Sequence, residues 1–474
     1  MISSSTLPRV IQGGMGVAVS NWKLANAVAR AGGLGVVSGS LMDTVLVRRL
    51  QDGDLGGHMR RAIAAFPIPG VGDEILKRYF SPSGRAPGTP YKMLPMYKQT
   101  VSAARQRVTV LANFVEVWLA KEGHDAPIGM NLLTKLQIPN MPSLYGAMLA
   151  GVGVVIMGAG IPREIPGVLD AFAEHRTARM RFEVEGLARD EAEFLEFDPA
   201  TIATPDLMTK PLKRPVFLPV VSAASLAMTL ARKSNGRVDG FVIEGPTAGG
   251  HNAPPRGELR LTDAGEPIYG ERDVVDLAKM RELGLPFWLA GGTGSPEGLR
   301  HALECGAAGV QVGTLFAYCA ESGLDPALKA RVLENVVAGT AKLRTDPRAS
   351  PTGYPFKVVE LPGDAAQALV RERVCDLGYL RVPVRTAEGR TVYRCSAEPV
   401  DTFVAKGGNV AETEGRRCLC NGLMANVGLA QWRVETGEEE IPLVTSGDDL
   451  LELADFVAGH PGYTAAQAIA YLNG

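Results

Sequence analysis

The stretch Ile243-Glu-Gly-Pro-Thr-Ala-Gly-Gly-His-Asn-Ala-Pro-Pro-Arg-Gly257 sets one histidine, His251, on a glycine-hinged segment directly after a short apolar run. An imidazole titrates near neutrality, so in that place it can take or give a proton. A loop histidine that merely caps a turn is the competing reading, and position alone divides the two evenly. Gly249 and Gly250 favour chemistry, because adjacent glycines lose much backbone entropy on folding unless the chain must approach something closely. A second chemistry is written in Leu285–Thr314, where Leu-Pro-Phe-Trp-Leu-Ala-Gly-Gly-Thr-Gly and Ala-Gly-Val-Gln-Val-Gly-Thr flank an apolar helix opened by Ser-Pro-Glu-Gly. Gly291, Gly292 and Gly313 let bare N–H groups come close to an anion, and the helix N-terminus adds partial positive charge. Two such turns at the ends of consecutive parallel strands make a phosphate cup, with precedent after strands seven and eight of a (β/α)₈ barrel.

Other candidates carry less. Arg416-Arg-Cys-Leu-Cys-Asn-Gly422 offers a C-x-C pair, but with no second Cys or His pair nearby in sequence it is weak metal evidence. The expectation is buried cysteines and no metal, with Asn421, Gly422 and Arg417 as residues that could line a substrate entrance. His58, His124, His175, His301 and His460 lack partner spacing and read as structural or solvated. Lys357, in Ser350-Pro-Thr-Gly-Tyr-Pro-Phe-Lys357, is a candidate to approach a cofactor, with a surface lysine the favoured reading.

These residues need strand ends to hold them. Arg9-Val-Ile-Gln-Gly-Gly-Met-Gly reads as a strand and turn, Asn21–Arg30 as an amphipathic helix and Leu34-Gly-Val-Val-Ser-Gly as a second strand, a unit that implies a parallel pair. Ile128–Asn131 and Val152–Gly160 follow as strands three and four, with a helix over Ser143–Ala150 between them. Arg163–Arg214 is charged and less regular. Alternation resumes with Val216–Val221, a helix over Ala223–Lys233 and Gly240–Gly245, and the opening stretch supplies strands seven and eight.

Eight short apolar strands could be doubly wound. Glycine-rich ends at strands one, two, four, six, seven and eight favour an α/β fold of the (β/α)₈ TIM-barrel kind, whose site draws on many strand ends at once. About residues 41–127 form a helical insertion after strand two, with a Pro/Gly-rich middle (Phe66–Pro95) and a long helix over Val101–Lys121. The expected division is a barrel over 1–360 and a C-terminal extension or cap over 361–474, including helices at Ala365–Arg373 and Asp448–Ala458. A separate small domain is the weaker option for that segment.

Composition narrows the function classes. The chain has 474 residues, 46% of them hydrophobic, enough for a large core. With 49 Lys+Arg against 51 Asp+Glu it lacks the basic excess that nucleic acid or an anionic membrane favours. No secretory pattern is visible in Met1–Thr6, and the longest apolar stretch, Ala147–Ile161, is too short and glycine-rich to span a bilayer. Six cysteines in so long a chain do not suggest a disulfide framework, which fits a reducing, cytoplasmic setting.

Taken together, Gln12-Gly-Gly-Met15, Ala31-Gly-Gly-Leu-Gly35, Gly129-Met-Asn131, Ala248-Gly-Gly-His251, Ala290-Gly-Gly-Thr293 and Gln311-Val-Gly-Thr314 resemble the nitronate monooxygenase family, formerly 2-nitropropane dioxygenases. The resemblance runs over about residues 8–357 in the family's order and spacing. The same barrel is shared by flavin-dependent enoyl-acyl-carrier-protein reductases. What the resemblance implies is an FMN-dependent barrel. Gly291, Gly292, Gly313 and Thr314 would hold the FMN phosphate, and Gln12, Gly13, Gly14 and Met15 would line the flavin by backbone contact. Asn131 would meet the isoalloxazine or ribityl side, and His251 would be the catalytic histidine. Glu244, Gly249, Gly250, Thr293 and Gln311 complete the implied cofactor set.

The chain departs from the family pattern at Pro246 and Thr247, in the longer Asn-Ala-Pro-Pro-Arg-Gly after His251, in the insertion and in the C-terminal third. The departures leave cofactor binding intact and open the substrate. Oxidation of a nitronate or nitroalkane with O₂ to a carbonyl compound and nitrite is the first expectation. An enoyl-thioester reductase using NAD(P)H, acting with a polyketide or fatty-acid synthase, is the alternative, and an NAD(P)H:quinone reductase a further one. A flavin-binding protein without turnover is the non-enzymatic reading, and a homodimer is among the expected states.

Overall fold

The computed structural model describes residues 4–363 and 371–474. Eight parallel strands follow one another around a closed ring: β1 (Val10–Gln12), β2 (Gly35–Ser38), β3 (Ile128–Leu133), β4 (Val154–Gly158), β5 (Val216–Val221), β6 (Phe241–Glu244), β7 (Phe287–Ala290) and β8 (Gly309–Val312). β8 pairs with β1, and β1 meets β2 through the Ile11–Leu34 bridge, so no edge remains. The ring is the expected (β/α)₈ barrel.

Side chains alternate in and out along each strand. Ile11, Leu34, Val36, Val154, Ile156, Val216, Leu218, Val242, Trp288 and Ala290 fill the barrel interior as one buried cluster. Their neighbours, among them Val37, Val155, Phe217, Phe241, Phe287 and Val310, belong to the larger core shared with the helices. Gly129 contributes no side chain inside because Val36 already fills that space, within 2.9 Å of where a Cβ would stand.

The insertion is helical: Met42–Gln51, His58–Ala64, Val71–Tyr79 and the long Ala103–Ala120. The Pro/Gly-rich middle therefore holds a helix of its own. Asp43 and Arg105 form a buried ion pair at 2.6 Å, and Tyr97 donates to the same carboxylate at 2.6 Å. Burial opposes the charge on Asp43, but Arg105 and hydrogen bonds from Tyr379, Tyr97 and the Thr44 amide outweigh it and hold the carboxyl below its usual range.

Several boundaries differ from the sequence reading. The helix before β4 runs over Gln137–Leu149, six residues longer at its start, passing through Pro142. Its face is buried against the long insertion helix so closely that a Cβ on Gly146 would stand 2.1 Å from the Val110 carbonyl oxygen. Packing there overrides the local proline signal. The charged stretch 163–214 holds a helix, Ile165–Ala173, and an antiparallel hairpin of Ala178–Phe182 with Glu193–Phe197. Of the helix expected over Ala365–Arg373, residues 365–370 lie outside the described residues and 371–373 are not helical. The segment expected as one helix from Asp448 is a 3₁₀ turn, Asp448–Glu452, followed by a helix over Ala454–Gly459.

The C-terminal segment is stitched to both other parts. The Arg48 guanidinium donates to the Leu429 carbonyl at 2.5 Å, and the Tyr91 amide donates to Gln431 at 2.8 Å. On the barrel side, Val359 in β10 (Phe356–Glu360), which pairs antiparallel with β9 (Lys342–Asp346), donates to the Val444 carbonyl at 3.0 Å. Among the described residues no helix is long and apolar enough to cross a membrane.

Candidate active site

The cavity at the C-terminal mouth of the barrel is open to solvent and has a volume of about 240 Å³. At one end stand Gly291, Gly313 and Thr314, after β7 and β8; at the other stand Asn131 of β3, Glu244 of β6 and His251. Between them the turn Gly13–Gly16 after β1 forms a wall with Met15 as its one side chain. Gly14 must be glycine here, since an added Cβ would lie 2.1 Å from the Asn131 Cβ. Gly291 adopts φ +86°, and a Cβ would lie 2.7 Å from the Ala248 amide nitrogen.

Of the residues expected from sequence, Gly13, Gly14, Met15, Asn131, Glu244, Gly249, Gly250, His251, Gly291, Gln311, Gly313 and Thr314 line this one cavity. Gln12, Gly292 and Thr293 do not. The Gln12 side chain is fully buried and spent on the frame. Its Nε2 donates to the Ser20 hydroxyl at 2.7 Å and to the Gly13 carbonyl, and its Oε1 accepts from the Val36 amide at 3.0 Å. Gln12 therefore locks the β1 turn to β2. Thr293 is buried with its Oγ1 unpartnered, and Gln311 Oε1 is likewise unpartnered within the protein. Polar atoms so placed call for a ligand or water partner.

His251 is held by β10, bridging to Phe356 in antiparallel fashion, with its ring edge-on to that of Phe356 at 5.0 Å. Its Nε2 lies 2.7 Å from the Ser350 hydroxyl, which in turn lies 2.8 Å from the Thr352 hydroxyl. Burial pushes the imidazole down to about pKa 4 and the Glu244 carboxyl up to about 7. At neutral pH His251 is thus an uncharged acceptor, and Glu244 is divided between its two forms. Two titratable groups moved in opposite senses in one cleft is the pattern of a reaction site.

The sequence reading missed a strap from the C-terminal segment, Val444–Asp449, which forms the cavity's outer wall. The Gly250 amide donates to Thr445 Oγ1 at 2.7 Å, and the Asp448 amide to the Thr247 carbonyl at 2.9 Å. The Gly447 amide donates to Thr314 Oγ1 at 2.8 Å, and the Gly294 amide to the Asp449 carboxyl at 3.1 Å. Ser446 and Tyr318 share a hydrogen bond of 2.5 Å. No local pattern could reveal these partners, because the strap lies more than a hundred residues from the loops it closes. Lys357 corrects the surface-lysine expectation: it is 3% exposed, and its ammonium pairs with Asp448 at 2.5 Å.

The insertion lines none of the cavity among the described residues. Asn421, Gly422 and Arg417 do not reach it either. Asn421 donates to Asp376 at 2.7 Å, Gly422 packs on Leu443, and the Arg417 amide donates to Ala349 at 2.9 Å. The remaining histidines make local bonds, such as His175 with Tyr145 at 2.8 Å and His124 with the Ala120 carbonyl at 2.9 Å.

The fold is a closed (β/α)₈ barrel with a cavity at the C-terminal strand ends. Residues 124–348, a little under half of the chain, match the family model described as nitronate monooxygenase. The chain is 34% identical over 141 residues to a probable nitronate monooxygenase of Bacillus subtilis, covering 30% of this chain and 38% of that one. It is 30% identical over 199 residues to a nitronate monooxygenase of Pseudomonas aeruginosa, covering 41% of this chain and 49% of the other. The chain thus spans about half or less of the curated relatives it matches. Among solved structures, the enoyl reductase domain of MlnA from the macrolactin biosynthesis cluster of Bacillus amyloliquefaciens aligns at TM-score 0.46 and 12% identity, over 98% of this chain and 93% of that one.

Proposed function

We propose that the protein is an FMN-dependent oxidoreductase that oxidises a nitronate or nitroalkane with O₂ to a carbonyl compound and nitrite. The observation that carries this reading is the single cavity joining the glycine turns of β7 and β8 to the uncharged, half-buried His251. The residues present fit the cofactor. Gly291, Gly313 and Thr314 form an anion cradle, the unpartnered Gln311 Oε1 offers an acceptor to a ribityl hydroxyl or a ring N–H, and Gly13 and Gly14 leave a flat wall for a ring. One group fits less easily: the Asp449 carboxyl beside the cradle, which burial pushes up to about pKa 6.

FMN, when bound, would supply acceptance of electrons from the substrate. The protein's own part is proton handling and desolvation. A neutral imidazole takes the proton next to a nitro group, and its position against Phe356 and Tyr354 keeps it dry. Ser350 fixes the ring through Nε2. The strap, tied to the loops after β6 and β8, shields the cradle from water.

The test is direct. Purified protein should show flavin absorbance or take up added FMN, bleach anaerobically with a nitronate, and release nitrite in air. Absence of flavin binding would end the cofactor reading. Bleaching by NADH or NADPH but not by a nitronate would replace the substrate reading with a reductase.

A further inference from the structure

The barrel-mouth cavity has a further wall that belongs neither to the glycine cradle nor to the acid–base pair. It is built after β8 and from the C-terminal segment: Ala317, Leu324, Leu423 and Val444 give it apolar side chains, and Asn426 gives it a polar one. Leu423 and Asn426 stand three residues apart on the helix over Leu419–Ala425 and its cap, so they meet the cavity from one face. That helix is pinned in place. The Asp325 amide donates to the Asn426 carbonyl at 2.8 Å, and a Cβ on Gly422 would stand 2.8 Å from the side chain of Leu443, which leads into the strap.

Asn426 is 2% exposed, and only half of its side-chain amide is used. Its Nδ2 donates to the Leu443 carbonyl at 2.7 Å, which fixes the amide, while its Oδ1 has no hydrogen-bond partner among the described residues. A buried carbonyl oxygen without a donor costs free energy that an N–H or O–H of a ligand restores. The wall runs on to the His251 end of the cavity. Leu423 is half-buried and packs on the cluster that holds Phe356, whose ring lies 5.0 Å from that of His251. A chain leading away from a carbon beside His251 can therefore run over Phe356 and Leu423 towards Asn426. A flavin does not account for this wall, because its benzenoid edge carries no N–H or O–H to offer Asn426. Leu423, Asn426 and Val444 also lie outside residues 124–348, the segment matched by the family model.

We propose that this wall is a substrate subsite: Leu423 and Val444 cover an aliphatic chain attached to the reacting carbon, and Asn426 Oδ1 accepts a hydrogen bond from a hydroxyl or amide N–H carried on that chain. The inference rests on the proposed function in placing the reacting carbon beside His251. The substrate class that follows is an aliphatic molecule bearing a hydrogen-bond donor, not a bare small nitroalkane. The chain contributes by leaving water, and the donor by matching the orphaned carbonyl. A substrate that fills the wall without a donor leaves Asn426 Oδ1 unpaired where water is excluded, which is how a buried polar group selects between substrates.

The experiment uses the full chain loaded with FMN and compares kcat/KM for the nitronates of nitroethane, nitropropane, nitrobutane and nitrohexane with those of their hydroxyl-terminated counterparts. Each methylene should raise kcat/KM by about threefold to fourfold until the subsite is filled. At one chain length the hydroxyl should add a further factor of about five or more. Leu423→Ala should lower the gain per methylene to about twofold, and Asn426→Ala should abolish the preference for the hydroxyl. Far-UV circular dichroism checks that each variant is folded, and the wild-type series is decisive without any variant. A series flat in both chain length and hydroxyl would overturn the subsite. So would a hydroxyl preference kept in Asn426→Ala, or a loss of FMN affinity in that variant with the substrate preference intact, which would give the wall to the cofactor. If no nitronate is oxidised, the proposed function fails on its own. The subsite is then read by calorimetry with plain and hydroxyl-terminated aliphatic carboxylates, whose planar anion resembles a nitronate: the same preference supports it, and its absence overturns it.

Discussion

The two ends of the barrel-mouth cavity are built from different materials. The cradle after β7 and β8 is backbone: glycines, amide donors and the C-terminal strap, with Asp449 as the one ionisable intruder. The end near His251 is side chains, whose protonation is set by burial and not by paired charges. A backbone cradle responds to geometry and to charge placed beside it, so changes there should appear in cofactor binding. A desolvated acid–base pair should appear in turnover and its pH dependence.

The largest separation of the two ends should come from His251→Ala. On the proposed function, turnover of a neutral nitroalkane should fall by about 10²–10⁴-fold, the usual range for a lost general base, while FMN titration is unchanged. Turnover that survives the change would remove His251 from the mechanism. Next, Gly291→Val places a Cβ against the Ala248 amide at a positive φ, and FMN affinity should drop by about tenfold or more, since such backbone strain amounts to about 1–3 kcal/mol. An unchanged Kd by fluorescence quenching would show that this glycine does not shape the cradle.

Asp449 sharpens the contrast by pH. Its carboxyl is raised in the folded protein, so it is neutral below about pH 6 and charged above, where it opposes a phosphate. FMN should therefore bind more tightly at pH 5 than at pH 8, and Asp449→Asn should flatten that dependence and tighten binding several-fold at pH 8. If the variant keeps the wild-type slope, the carboxyl does not face the bound phosphate.

At the other end, the lowered histidine places the basic form of His251 above about pH 4. The rate limb that a histidine normally gives near pH 6.5 should be shifted to the acid side, and a kcat/KM limb near 6.5 that persists in a Glu244→Gln variant would contradict this. The smallest effect belongs to Ser350→Ala, which leaves the imidazole in place but frees Nε2. A few-fold fall in kcat with FMN affinity intact is expected.

Much of this was legible from residues alone, and for local reasons. Eight short apolar runs specify parallel strands within a few residues each, which is why β3, β5 and β6 fall where they were expected, and glycine-rich ends at six of the eight mark the site loops. Where the expectation failed, distant packing was the cause. The helix through Pro142 is held by close contact with the insertion helix, and Lys357 is buried because Asp448 arrives from the C-terminal strap. Gln12 belongs to a glycine motif, yet its side chain serves the β1–β2 frame, a distinction only hydrogen-bond geometry makes.

The sequence by itself determined the strand–helix alternation, the glycine turns and the histidine loop, because each depends on contacts within about one strand–helix unit. Only the tertiary structure decided what closes the cradle and what lines the cavity beyond it. The strap from Val444 to Asp449 and the meeting of Leu423 and Asn426 with His251 in one cavity join residues far apart in the chain. No periodicity or motif encodes such meetings, since they arise from how whole elements pack.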